Sequence, residues 1–226
     1  MATSSLITSG GKTELIRSLV EAFGGAAPSS GDVTAGLEAL VNAVQLFTAT
    51  QSADLVLAPS TAVGQSFSRY NIASAAEASP GSGDIFMTAV TIPGSTQINA
   101  VNFITGSTAA VTPTHQWGGI ASSAYSVLGV SVDGTSTAIG AAAPLTFTLG
   151  TQYVTPQGPP ALYIVFGMVV AGTMPTFEGA TTVAEAMTVP PILNGTSNTG
   201  QTTPPALATV LTTPTPSTAA IYAYVD

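Results

Sequence analysis

The sequence predicts a mainly β protein, an antiparallel β-sandwich or jelly roll with a short helical region at its N-terminus. Three observations predict it. The run Ala161 to Pro175, ALYIVFGMVVAGTMP, crowds β-branched and aromatic residues into an uncharged stretch behind Pro159 and Pro160. From residue 51 onward, roughly ten short apolar runs follow one another with Gly, Pro, Asn or Asp between them. Helical spacing of apolar residues is confined to about the first 50 positions.

The N-terminal elements come first. Thr13 to Phe23 places Leu15, Ile16, Leu19, Val20 and Phe23 on one helical face, and Gly24-Gly25 stops it. Asp32 then suits the N-cap of a second helix, where a carboxylate meets free backbone N–H groups and the positive end of the dipole. That helix carries Val33, Leu37, Leu40, Val44 and Phe47 at heptad spacing. The same spacing serves self-association or packing on the helix's own domain, and two heptads associate only with a globular domain's help. Residues 1–50 therefore read as a helical attachment or oligomerisation region, and 51–226 as the sandwich domain.

Within that domain, strands are expected at Asp54 to Ala58, Ser66 to Ile72, Ile85 to Ile92 and Ile98 to Thr105, with SPGSGD and Pro93-Gly94 as turns. Ile98 and Ala100, continued by Asn102, fall on one face by simple alternation. Further strands are expected at His115 to Ala121, Tyr125 to Val132, Leu145 to Leu149, Leu207 to Leu211 and Ile221 to Val225. The run at Ala161 reads as the central strand, buried on both faces. Gly167 and Gly172 would each cost roughly 1 kcal/mol in a helix. About 12 apolar residues between prolines are also too few for a membrane-spanning helix, which needs roughly 20. The Thr/Pro-rich tract near 190–216 is expected as an extended surface arm or loop.

Only 6% of the 226 residues are charged, against roughly 25% in an ordinary soluble domain. A surface so poor in charge gives little repulsion between copies, which points to a protein working inside an assembly. Net charge is −8, and the cations are Lys12, Arg17 and Arg69, too few and too scattered for counterion release from nucleic acid. Cysteine is absent, which removes disulfides and thiolate metal sites. The N-terminus lacks a basic region followed by an apolar core, so a secretory signal is not expected.

Motifs that suggest chemistry fail on inspection. Gly10-Gly11-Lys12-Thr13 lacks the glycine a phosphate loop needs at Leu6. No G-x-S-x-G elbow accompanies His115, the sole histidine, and the carboxylates form no pair in sequence, so neither a catalytic set nor a metal site nor a cofactor is expected. Trp117 lies two residues from His115 and on the same face of a strand; it serves either as a sugar platform or as the sole Trp anchoring the core. Asp133-Gly134 is a turn signal without the further carboxylates of a calcium loop. Asn194-Gly195-Thr196 matches a glycosylation acceptor.

With these residues laid out, the stretch from Val101 to Pro175 resembles structural proteins of bacteriophage virions, of the kind found as head fibres, capsid decorations or minor tail proteins in phages of actinobacteria. The likeness covers about the last two thirds of the chain and is strongest at TPTHQW, at the turn with Asp133, at ALYIVFGMVVAGTMP and at the closing AYV. It departs from the pattern at GGIASSAY, which is richer in glycine. The resemblance implies a non-enzymatic virion component with a jelly-roll-like domain, homotrimers, and a partner in the major capsid protein or another virion protein. It also implies assembly in the host cytoplasm. A tail protein touching a host-surface glycan, or a carbohydrate-binding module, is the alternative.

Overall fold

The computed structural model of the chain describes residues 61–72, 77–181 and 190–226. The two helices expected before residue 50, the seam Val33, Leu37, Leu40, Val44 and Phe47, and the strand expected at Asp54 to Ala58 lie outside the described residues. Within them the chain is mainly β, with every strand pair antiparallel.

The strands are β1 (Gly64–Gln65), β2 (Ile85–Ile92), β3 (Gln97–Ile104), β4 (His115–Ser122), β5 (Val127–Val130), β6 (Pro144–Val154), β7 (Ala161–Val170), β8 (Gly179–Thr181), β9 (Asn194–Ser197), β10 (Thr215–Pro216), β11 (Ala219–Ile221) and β12 (Ala223–Val225). They form a four-stranded sheet, β1-β12-β3-β6, a six-stranded sheet, β10-β9-β2-β7-β4-β5, and a small pair, β11-β8. Side chains of the two larger sheets meet in one core. Phe86 and Val90 from β2, Ile120 from β4, and Val165 and Val169 from β7 pack with Val101 and Phe103 from β3, Phe147 from β6 and Val225 from β12. Alternating inward residues of two facing sheets make this a sandwich.

The run at Ala161 is β7, an interior strand paired with β2 along one edge and β4 along the other. Its odd positions, Tyr163, Val165 and Val169, enter the core between the sheets. Its even positions, Ile164, Phe166 and Met168, enter a second core on the other face with Ile85, Met87, Trp117, Tyr125 and Leu211. Burial on both faces explains why the strand reads as a continuous apolar run rather than an alternation. Gly167 stands opposite Phe86 on β2 and Gly118 on β4. A Cβ at Gly167 would lie 2.6 Å from the Phe86 ring, and one at Gly118 would fall against the Phe147 ring. The missing side chains leave a trough that the rings fill, and Phe86 then meets Phe103 edge-on at 5.0 Å and Phe177 at 4.6 Å.

Other expectations change in detail. Ile98 pairs with Tyr153 but Ala100 with Thr148, so the register slips between them. The slip puts Val101 and Phe103 in the core with Ile98 and leaves Ala100 and Asn102 off that face, against simple alternation. Ser66 to Ile72 is a short 3-10 helix at Arg69–Asn71 rather than a strand. Part of the tract near 190–216 is sheet: β9 extends the six-stranded sheet along β2, and β10 caps it. Leu207 to Leu211 is no strand but a cover along β5, joined by Val127 N–H to Thr209 C=O (2.9 Å) and Leu211 N–H to Tyr125 C=O (3.0 Å).

Candidate functional site

One polar arrangement among the described residues lies where β4 begins. His115 follows Pro113 onto the strand, and alternation sends His115 and Trp117 to one face and Gln116 and Gly118 to the other. The loop after β5 returns Asp133 to this point. One carboxylate oxygen meets His115 Nδ1 at 2.6 Å, and the other accepts the Gln116 backbone N–H at 3.0 Å. Gly134 N–H donates to Gln116 C=O at 2.7 Å, and Gln116 Nε2 donates to Thr137 C=O at 3.1 Å. A Cβ on Gly134 would sit 3.0 Å from Gln116 Cγ, so glycine lets the loop close on that side chain. The turn expected at Asp133-Gly134 falls instead at Thr135-Ser136, closed by Thr137 N–H to Gly134 C=O at 3.3 Å, and Asp133 and Gly134 form the clamp that holds residues 131–138 to β4.

Beside the clamp opens a groove of about 380 Å³ between residues 131–138 and the start of β6. Gln116, Ser131, Val132, Thr137, Thr146 and Thr148 contribute to its walls, and no lining residue is charged. Gln116 is 5% exposed and its Oε1 is buried without a partner. Ser131 Oγ accepts from Gly118 N–H at 3.1 Å and donates to the Val132 carbonyl at 3.0 Å. His115 and Asp133 have the form of a base and its orienting carboxylate, but a nucleophile is required as well. Among the described residues no hydroxyl is hydrogen-bonded to the other ring nitrogen.

A second cluster pairs two carboxylates that lie about a hundred residues apart, which is why spacing along the sequence does not reveal it. Glu77 accepts from Ser107 N–H (2.8 Å) and Ser107 Oγ (2.9 Å). The Thr176 hydroxyl, then the Ser107 N–H and hydroxyl, hold its carboxyl below the usual range. Glu178 moves up, first from burial and then from the charge of Glu77. A Cβ at Gly106 would lie 2.5 Å from the Glu77 carboxyl carbon, so the backbone approaches closely there. Satisfied acceptors of this kind tie the loop at Ser107 to the loop at Thr176. Among the described residues no group of three His, Asp or Glu side chains could hold a metal.

The remaining sequence candidates separate. Trp117 is fully buried, its ring edge-on to Phe166 at 6.2 Å, and it exposes no face on which a sugar could stack. Asn194 is also buried: Nδ2 donates to the Ser217 and Ala219 carbonyls at 3.0 Å each, and Oδ1 accepts from Ile221 N–H at 3.3 Å. With both amide atoms engaged, the acceptor motif offers no free nitrogen for a glycan. Among the described residues no helix is long and apolar enough to cross a membrane. No protein-family model matches the chain, and no curated protein matches it.

Proposed function

We propose that this chain is a non-enzymatic structural protein of a bacteriophage virion, a capsid decoration or head-fibre protein. Residues 1–50 attach it to the major capsid protein and associate as a homotrimer, and a jelly-roll-like domain projects from the shell. One observation carries the reading: a charge content of 6% on a sandwich whose polar groups mostly fasten loops to strands. Such a surface favours contact with neighbouring molecules over independence in solution. The resemblance of residues 101–175 to phage structural proteins supports the virion as the assembly. Densitometry of purified particles of the phage that encodes the chain tests it. A decoration protein is present in copies of the same order as the shell protein, whereas a handful per particle makes it a tail protein instead.

A further inference from the structure

We draw no further inference here: the strongest candidate, the uncharged groove between residues 131–138 and the start of β6, has the unpartnered Gln116 Oε1 sealed from solvent beside it, and nothing in the structure shows what would occupy it.

Discussion

At the scale of single residues, glycine decides the packing of the central strands. Gly118 and Gly167 face each other across β4 and β7 and leave room for Phe147 and Phe86. Gly167→Ala drives a methyl into the Phe86 ring, and overpacking of this kind costs about 1–3 kcal/mol, read as a lower urea midpoint at unchanged slope. Glu77 sets a pH dependence. Its folded pKa lies below the unfolded value of 4.5, so its contribution is complete above that value and is lost as pH falls through the folded pKa. Glu178 acts in the opposite sense: its folded pKa is raised, so its ionisation weakens the fold as pH rises through that pKa. Glu77→Gln lowers Tm at neutral pH and narrows the gap between neutral and acid Tm, which a series of melts across pH reads directly. A gap as wide as in the unmutated protein would show that other groups control the acid limb.

At the scale of elements, strands buried on both faces were the most legible. β7 and β2 follow their apolar runs because most of both faces is buried, Thr91 and Ala161 being exposed at the shared end, and β2 spans Ile85 to Ile92 as expected. β9 was illegible for the opposite reason: Asn-Gly-Thr-Ser has no apolar residue, and it is a strand because β2 offers it a ladder and Asn194 fastens it to the segment 217–221. Asn194→Ala strands those buried groups and costs about 1–3 kcal/mol, while the unmutated chain carries no glycan at this position when secreted from a glycosylating host. The slip in β3 was equally hidden, since no Gly or Pro at residues 98–100 announces it. Of the site, a break in the chain near Asp133-Gly134 could be read from the sequence, but the turn itself falls at Thr135-Ser136, and the grip of Asp133 on His115 and Gln116 depends on pairing between distant strands. The heptad seam gives its own prediction. Leu40→Asp with Val44→Asp leaves a folded sandwich that sediments as a smaller species, and loss of the β-sheet circular dichroism would instead assign those residues to an intrachain core.

At the scale of the whole molecule, charge and architecture belong together. With 6% of its residues charged the chain has few groups for surface ion pairs, while the excess of acids that gives its formal charge of −8 is what sets copies apart. Among the described residues its two cores bury both faces of the centre of the six-stranded sheet, so cohesion there comes from apolar packing. The surface left over is rich in hydroxyls and sparse in charge, with acidic groups outnumbering basic ones. The proposed place in a virion is tested most directly by a single-particle reconstruction of particles that contain the chain. The account predicts density of the two-sheet sandwich repeated over the outside of the capsid shell; density only at the tail, or none in the particle, would contradict it.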